Sequence, residues 1–506
     1  MARKSLVGAL LASLHVINAQ LTSTLFEHAT VIIFNEETQS NEILHGTSVL
    51  IQGDTIAAIF PSSNDLSSPV IPPDTEIVPA KNTIISPGFI DTHRHTWQTT
   101  YRTLASNTTL AEYFVRWSPG TKATELFEPE DIYLSSLMGL YEALDAGVTS
   151  LIDHAHGIKS REDAEANLKA TVNSGARVWF GYNLDPWSGM SLQDRAAHWL
   201  DILRDDTKTN DLVKLSVSFD YWNMAGNEDL QTALDLINDD RNNDIPLLTT
   251  HLVGGPYGAP NGPSLLLSHD LLNRSFPIVL SHATYITPLE HQLLRKHNHY
   301  VSITPESEMH FGHTNVESDL LMDQASLGVD THATFSGDII TQARLWLQSV
   351  RHRSYRKLLD QWKLPSHNPM SVNQAFHLAT RAGALALRRD DLGVIRVGAK
   401  ADLVVFDGRS TNMVGWRDPI AAIILHSHVS DVKHVMVGGK FVKRDGKLAA
   451  KDLDEVTEKF AESAKKIQDQ AVEFEFDIDK TFLAYNGLPL KAPDQVDATR
   501  GYGTGY

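Results

Sequence analysis

The chain has 506 residues, of which 42% are apolar, and its formal net charge at pH 7 is −18. This length accommodates about three domains of typical size, although a single α/β barrel can take up about 250 residues. The apolar content supports a large core, and the acidic charge gives no electrostatic basis for binding nucleic acid. The sequence contains no cysteine, which excludes disulfides, thiolate catalysis and cysteine-ligated metals. A metal would therefore be held by histidine and carboxylate.

Residues 1–19 have the pattern of a secretory signal peptide: a basic start, a short and mostly apolar run, and a small residue, Ala19, at the end. The alternative is an N-terminal helix of a cytosolic protein, and the run is too short to span a bilayer comfortably. We expect secretion with cleavage between Ala19 and Gln20. In that pathway the sequons at Asn107 and Asn273 become glycan acceptors, which predicts a glycoprotein.

Two β-rich regions, 20–87 and 391–450, flank a long middle section and predict one composite β-sandwich built from both chain ends. The middle, 88–390, alternates short apolar runs with helical stretches, a pattern typical of βα units and a parallel sheet. Eight candidate strands favour a (β/α)8 barrel of the TIM type, and an open doubly wound sheet is the alternative. For 451–506 we predict an amphipathic helix and a flexible tail.

Polar residues collect where the predicted barrel strands end. These ends lie near His93, His154, Asn183, Asp220, His251, His282, Thr304 and Asp330. The first strand runs into His93-Arg94-His95, and residues two apart on a strand point to the same face. Both imidazoles can therefore reach one point, and neutral imidazoles are good ligands for zinc and iron. Because a barrel gathers its strand ends, the other histidines and Asp330 are expected nearby.

These residues resemble those of the amidohydrolase superfamily, in the metal-dependent aminohydrolase and chlorohydrolase branch that includes cytosine deaminase-like and s-triazine hydrolases. The resemblance covers about residues 28–450. It rests on PGFIDTHRH at 87–95, His251, His282, LGVD at 327–330 and GAKADLV at 398–404. It implies a (β/α)8 barrel, a composite β-sandwich and one divalent metal, with zinc preferred over iron.

The resemblance also implies roles for single residues. His93, His95, His251 and Asp330 would bind the metal, and His282 would lie beside the water that the metal activates. A bound metal can lower the pKa of water to about 7, and Asp330 can accept the proton that is released. We therefore expect a hydrolase that acts on a non-peptide C–N bond of a small molecule, such as an amide, an amidine or an amino-heterocycle.

The sequence departs from that branch at one position. Typical members carry a glutamate three residues after the fifth-strand histidine, as general acid and base, whereas this chain has Gly254. Because a leaving amine must be protonated, Glu306 and Glu308 after the seventh strand are predicted as catalytic replacements, against the alternative of a solvated acidic loop. Dinuclear members of the superfamily often carry a carboxylated lysine at the end of the fourth strand, where it bridges the two metals. In this chain Lys214 lies at the start of that strand, which favours one metal over two.

Two other functions stay open: a dinuclear amidase of the same superfamily, and a catalytically inactive binding relative. The expected partner is a small-molecule substrate, with a homo-oligomer possible and with neither nucleic acid nor membrane as a partner. His154 and His156 are expected near the pocket, behind the ligands rather than at a second metal. His310 and His313 either line the pocket or are plain loop histidines. An aromatic wall is the functional interpretation, and plain core the alternative, for Trp97, Tyr101, Trp187 and Trp222.

Overall fold

The structure is a computed structural model that describes residues 22–62, 69–186, 189–223, 226–239, 245–313, 318–478, 480–481 and 487–491. The predicted signal peptide and the last part of the predicted tail lie outside the described residues. Within these ranges no helix is both long and apolar enough to cross a membrane.

The strands are β1 (Ser23–Asn35), β2 (Ser40–Gln52), β3 (Thr55–Pro61), β4 (Glu76–Pro79), β5 (Thr83–Pro87), β6 (Phe89–Arg94), β7 (Val148–Ala155), β8 (Arg177–Asn183), β9 (Val213–Ser218), β10 (Leu248–Val253), β11 (Ile278–Thr284), β12 (Tyr300–Ile303), β13 (Ala325–Leu327), β14 (Leu403–Asp407), β15 (Val432–Val437), β16 (Lys440–Arg444) and β17 (Lys447–Leu448). The helices are α1 (Leu110–Arg116), α2 (Pro129–Asp145), α3 (Arg161–Ser174), α4 (Leu192–Leu203), α5 (Asn227–Asn238), α6 (Pro263–Ser268), α7 (Pro288–His297), α8 (Pro305–Phe311), α9 (Ile339–Leu359), α10 (Val372–Ala379), α11 (Arg381–Ala386), α12 (Pro419–Ala421) and α13 (Leu453–Ala471).

Strands β6 to β13 form one parallel sheet in chain order. The sheet curls until its first and last strands meet. The contact is made by the backbone N–H groups of Val329 and Asp330, just after β13, which donate to the carbonyl of His93 in β6 at 3.1 and 2.7 Å. Every residue of β7 is buried, as expected for a strand packed on both faces. The predicted TIM-type barrel is thus confirmed, and the open doubly wound sheet is wrong.

A second sheet of nine strands combines both ends of the chain, as predicted. β14 pairs antiparallel with β5, which places Leu403 opposite Pro87, and β1 to β4 extend the sheet beyond β5. The sheet has its own core, in which Val31 and Ile85 from the N-terminal part pack with Val405 and Met436 from the C-terminal part. Since β5 leads directly into β6, this sheet anchors the strand that carries the first predicted ligands.

The C-terminal helix α13 packs against α2 and against the short 3-10 helix Thr96–Tyr101 that follows β6. Ser463 Oγ and Lys466 Nζ donate to the carboxylate of Asp131 at 2.6 and 2.7 Å. Gln468 Nε2 donates to the carbonyl of Thr100 at 2.7 Å. The end of the chain therefore braces the segment that follows the His-x-His pair.

Candidate active site

The strand ends of the barrel bring four predicted residues to one point. The carboxylate oxygen Oδ1 of Asp330 lies 3.3 Å from His93 Nε2 and 3.0 Å from His95 Nε2. His251 Nε2 lies 3.3 Å from His95 Nε2. The structure therefore places the four predicted metal ligands around a common centre at the C-terminal mouth of the barrel. His282 joins them, since its Nε2 lies 3.9 Å from Asp330 Oδ2.

Hydrogen bonds on the outer nitrogens fix which ring nitrogen of two ligands faces this centre. His95 Nδ1 lies 2.9 Å from the carbonyl of His154, and His251 Nδ1 lies 2.7 Å from Asp220 Oδ2. Carbonyls and carboxylates only accept, so both Nδ1 atoms carry the hydrogen. In the neutral rings the two Nε2 atoms are then unprotonated, and their lone pairs face each other.

These inward-facing groups suit a cation. Lone pairs of His95 and His251 and the carboxylate of Asp330 converge without a donor hydrogen between them. His93 Nε2 is also buried and makes no hydrogen bond in the described structure. Nitrogen and oxygen atoms at one point, with no intervening donor, repel one another unless a positive charge lies among them. Three imidazoles and one carboxylate are a donor set typical of zinc.

The backbone at this centre is strained in two places. His282 and Asp330 have positive φ angles of 72° and 71°, a region that non-glycine residues rarely adopt. Such conformations cost about 1–3 kcal/mol each and persist only where the surroundings impose them. At Asp330 the imposing contact is the hydrogen bond from its N–H to the carbonyl of His93. Strain of this kind clusters at functional sites and here turns both side chains toward the common centre.

Burial sets the protonation of two histidines in the site. It lowers the pKa of His93 well below its usual value and that of His282 to about 4, so both rings are neutral near pH 7. Burial alone would raise the pKa of Asp330, but its contacts with His93 and His95 hold that pKa well below the usual range. The site therefore offers neutral imidazoles at His93 and His282 and an ionised carboxylate at Asp330, the forms that bind metal, whereas at His251 burial is outweighed by the neighbouring Asp220 carboxylate, which raises the pKa of that ring.

Asp220, at the end of the fourth barrel strand, supports His251 from behind. Its Oδ2 accepts from His251 Nδ1, and its Oδ1 accepts from the backbone N–H of His251 at 2.6 Å. Burial would raise the pKa of Asp220, yet the neighbouring His251 and His154 hold it well below the usual range. Such a carboxylate–histidine pair orients a ligand and increases its basicity.

Two groups of described side chains have ligand atoms close enough together to hold a metal. One consists of His93, His251, His282 and Asp330, so it includes His282 and lacks the predicted ligand His95, and the other consists of His154, Asp220 and His251. His154 Nε2 lies 3.2 Å from Asp220 Oδ2, so this carboxylate lies between the two rings. Lys214, by contrast, is exposed near the start of β9, at the opposite end of the strand from Asp220. The described barrel thus has no lysine at the end of its fourth strand, the place where dinuclear relatives are expected to carry one.

The two predicted replacement acids differ in their surroundings. Glu306 is tied to the chain after the eighth strand, because its carboxylate accepts from Ser336 N, Ser336 Oγ and Gln342 Nε2 at 3.1–3.2 Å. Glu308 is buried, its Oε1 accepts from the N–H of Thr304 at 3.0 Å, and the same oxygen lies 3.7 Å from His282 Nδ1. Neither carboxylate lines the cleft that leads to the common centre. Glu308 is the nearer of the two to that centre, and it lies behind His282.

Gly254 stands where relatives of this branch are expected to carry glutamate, and the structure leaves no room for a side chain there. A Cβ atom on Gly254 would lie 2.8 Å from the carbonyl oxygen of Thr284. The backbone N–H of Gly254 also donates to Thr284 Oγ1 at 3.1 Å. The close packing of the chain after β10 against the end of β11 therefore accounts for the absence of an acidic side chain at position 254.

A cleft of about 770 Å³, including its open mouth, leads to the common centre. His95, Asp220, His251, His282 and Asp330 form its floor. Much of its wall is apolar or aromatic: Leu110, Tyr113, Phe114, Pro119, Tyr221, Val253, Ala259 and Phe311. Concave sites with an apolar wall and a few convergent polar groups bind small molecules.

Two further histidines, His156 and His313, also line the cleft, whereas His310 does not. Of the proposed aromatic wall, Trp97, Tyr101 and Trp222 are buried in the core, and Trp187 lies outside the described residues. The aromatic wall comes instead from α1 and its neighbours. Those residues carry no motif, so sequence reasoning missed them, whereas the strand-end position of Asp220 was a usable signal.

The sequence is similar to those of known proteins. A sequence profile described as the amidohydrolase family matches residues 268–442. The 5-methylthioadenosine/S-adenosylhomocysteine deaminase of Pyrococcus horikoshii is 23% identical over 430 residues, covering 81% of this chain and 94% of that protein. The 5'-deoxyadenosine deaminase of Methanobrevibacter smithii is 23% identical over 447 residues, covering 83% and 94%.

Solved structures share the architecture. The zinc complex of an atrazine chlorohydrolase from Arthrobacter aurescens TC1 superposes with a TM-score of 0.72 at 18% identity, covering 87% of this chain and 100% of that one. An adenosine deaminase from Xanthomonas campestris with bound zinc gives 0.72 at 17% identity, covering 88% and 99%. At such identities the similarity establishes the fold.

Proposed function

We propose that this chain, whose residues 268–442 match the amidohydrolase family, is a metal-dependent hydrolase of a non-peptide C–N bond in a small molecule. The observation that carries the proposal is the convergence of unprotonated Nε2 atoms and the Asp330 carboxylate at the floor of a small-molecule cleft. The relatives named as deaminases support hydrolysis of a C–N bond, and the zinc-containing neighbours support a metal-dependent reaction.

We propose that His93, His95, His251 and Asp330 hold one zinc ion. When bound, zinc lowers the pKa of water to about 7 and so supplies a nucleophile at neutral pH. Asp220 accepts a hydrogen bond from His251 Nδ1, which leaves Nε2 of His251 as the ligand atom. Because Asp220 then acts as a hydrogen-bond acceptor rather than as the ligand of a second metal, this contact supports a single ion. The shared His154–Asp220–His251 group is the observation that favours a dinuclear amidase instead.

The other residues of the site handle protons. Asp330 Oδ2 accepts a hydrogen bond from Ser307 Oγ, and the carboxylate can take the proton released by water. His282 lies between Asp330 and Glu308: its Nε2 is 3.9 Å from Asp330 Oδ2, and its Nδ1 is 3.7 Å from Glu308 Oε1 and 2.9 Å from its hydrogen-bond partner Thr304 Oγ1. We propose that Glu308 and His282 together return the proton to the leaving nitrogen, in place of the glutamate absent at Gly254.

Metal analysis followed by a substrate screen tests the proposal. The purified protein should contain about one zinc per chain, and hydrolysis should appear in a panel of amides, amidines and amino-heterocycles. Asp330→Asn should fold and lose nearly all turnover. Two metals per chain would support the dinuclear amidase. A protein that binds no metal and hydrolyses nothing would support the inactive binding relative and contradict the proposal.

We also propose that the protein is exported and cleaved between Ala19 and Gln20, on the pattern of residues 1–19. The acceptor residues Asn107 and Asn273 are both exposed, as glycosylation requires. N-terminal sequencing of secreted material should begin at Gln20, and an intact Met1 on cytosolic protein would contradict export.

A further inference from the structure

His156 presents a hydrogen-bond donor to the cleft. It follows β7, it is 6% exposed, and its side chain lines the cleft. Trp97 Nε1 donates to His156 Nδ1 at 2.8 Å. An indole nitrogen only donates, so Nδ1 of His156 must be the unprotonated nitrogen and its hydrogen must lie on Nε2. That Nε2–H has no partner among the described residues.

The orientation of this ring is fixed by its neighbours. The imidazole stacks on that of His95, with centroids 3.8 Å apart and an interplanar angle of 11°. Trp97 is fully buried, and Thr96 before it is bound through its N–H and hydroxyl to the Asp153 carboxylate at 3.1 and 2.7 Å. The donor is therefore held in place beside a predicted metal ligand before any ligand arrives.

The remainder of the wall restricts what can use this donor. Tyr113, Phe114 and Phe311 supply aromatic surface, and no lysine or arginine lines the cleft in the described part of the chain. The two acidic residues on the floor, Asp220 and Asp330, are already paired with histidines. An apolar wall with few placed polar groups favours a ligand with little charge and one directional hydrogen bond.

We propose that the cleft binds a neutral aryl compound and that His156 donates its Nε2 hydrogen to a carbonyl oxygen or ring nitrogen of that compound. The inference rests on the proposed function, since it places this acceptor beside the reacting C–N carbon. His156 is then the residue that orients the substrate, and Trp97 is the positioning residue that selects the donating tautomer.

A pair of unreactive probes of the same shape tests the donor. Acetophenone carries a carbonyl acceptor, and α-methylstyrene replaces that oxygen by a CH₂ group. Ligand-observed NMR titrations should give about 3- to 10-fold tighter binding of acetophenone, the effect of one net hydrogen bond. The preference should persist in EDTA-treated protein, which excludes direct binding of the ketone oxygen to zinc. Equal affinities in the wild-type protein would overturn the inference.

Variants identify the group responsible. His156→Phe keeps the ring stacked on His95 but has no N–H, so it should bind both probes equally. His156→Gln keeps a donor and should retain the preference, and Trp97→Phe should reduce it without abolishing it. A preference that survives in folded His156→Phe would assign the donor elsewhere. If that variant fails to fold, the wild-type comparison still decides.

A third probe tests the charge of the ligand. Benzoate keeps the aryl ring and the oxygen acceptor but carries a negative charge that no lysine or arginine of the described cleft balances, so in EDTA-treated protein it should bind more weakly than acetophenone. Equal or tighter binding of benzoate would overturn the preference for a neutral compound. Zinc content and hydrolysis are measured on the same preparations. If the protein binds zinc and hydrolyses substrates but shows no preference for the ketone, only the inference is overturned. If it prefers the ketone but neither binds zinc nor hydrolyses any substrate, only the proposed function is overturned.

Discussion

Asp220 receives two hydrogen bonds from His251, one from the ring Nδ1 at 2.7 Å and one from the backbone N–H at 2.6 Å. The first bond leaves Nε2 of His251 facing His95 at the proposed metal site, and the second ties the end of the fourth strand to the fifth. Asp220 therefore orients the ligand without being required as one. A carboxylate in this position increases the basicity of the imidazole and excludes the competing tautomer.

Asp220→Asn should weaken zinc binding by about 10- to 100-fold, the usual cost of losing a carboxylate behind a ligating histidine. Asparagine keeps the shape but removes the charge that selects the Nδ1 hydrogen. Competition with a chelator measures the affinity, and Asp454→Asn on the exposed face of α13 is the matched control. Unchanged affinity would remove Asp220 from the site, and loss of one of two bound metals would make it a ligand.

His93→Ala should lose metal and activity together. The ring is fully buried between Ser281 and Asp330, and a four-ligand set tolerates no vacancy. Elemental analysis after gel filtration measures the metal content. His367→Ala, at an exposed position, should keep wild-type content. Full occupancy in His93→Ala would mean that the His-x-His pair does not bind the metal.

Glu308→Gln and Glu306→Gln should differ. In Glu308→Gln the amide oxygen still accepts from Thr304 N–H, but no proton can pass through His282, so turnover should fall by about 10²–10⁴. Glu306→Gln should stay within a few-fold, because Glu306 binds Ser336 and Gln342 rather than His282. Turnover is measured on a substrate with an unactivated amine leaving group. Equal effects would show that the contact with His282 is not the deciding feature.

Gly254→Ala should lower stability by about 1–3 kcal/mol, since the added Cβ would press against the Thr284 carbonyl and force the strands apart. Gly226→Ser is the control, because a Cβ there meets no atom within 4 Å and serine is a good N-cap for α5. Melting temperatures of the two variants give the comparison. A Gly254→Ala protein as stable as the wild type would show that β10 can move, and a glutamate could then be introduced.

His299 should make the fold sensitive to acid. Burial lowers its pKa to about 4, and the neutral ring accepts from Ile278 N–H and donates to the carbonyl of Leu272. In the unfolded chain its pKa returns to about 6.5. Between these values the unfolded state binds more protons, so stability falls as pH falls from about 6.5 to about 4, by up to about 1.4 kcal/mol per pH unit.

His299→Gln removes this titration, so its melting temperature should decline less steeply than that of the wild type between pH 7 and pH 4.5. The comparison uses the slope, because the substitution also lowers stability at neutral pH. Parallel declines would show that other groups carry the acid sensitivity. Above pH 7 the two curves should stay a constant distance apart.

The sequence determined the barrel, because alternating apolar runs and helices repeat locally along the chain. Strand ends predicted at His93, His154, His251 and His282 fall within three residues of the observed ends. That the β-rich regions at the two chain ends belong to one sheet domain also followed from composition, although the pairing of β5 with β14 did not. The set of converging polar residues could be predicted because barrel topology brings every strand end to one mouth.

Only the tertiary structure decided which atom of each residue faces the centre. Tautomers depend on partners far away in the sequence, such as Trp97 for His156 and Asp220 for His251. The same is true of Glu306 and Glu308, which are equivalent in the sequence until Ser336 and His282 separate them. The contribution of α1 to the cleft wall could not be predicted either, because apolar residues give the same sequence pattern in a core and in a pocket. Hydrogen-bond direction and burial are set by contacts across the fold, and a linear pattern carries no record of them.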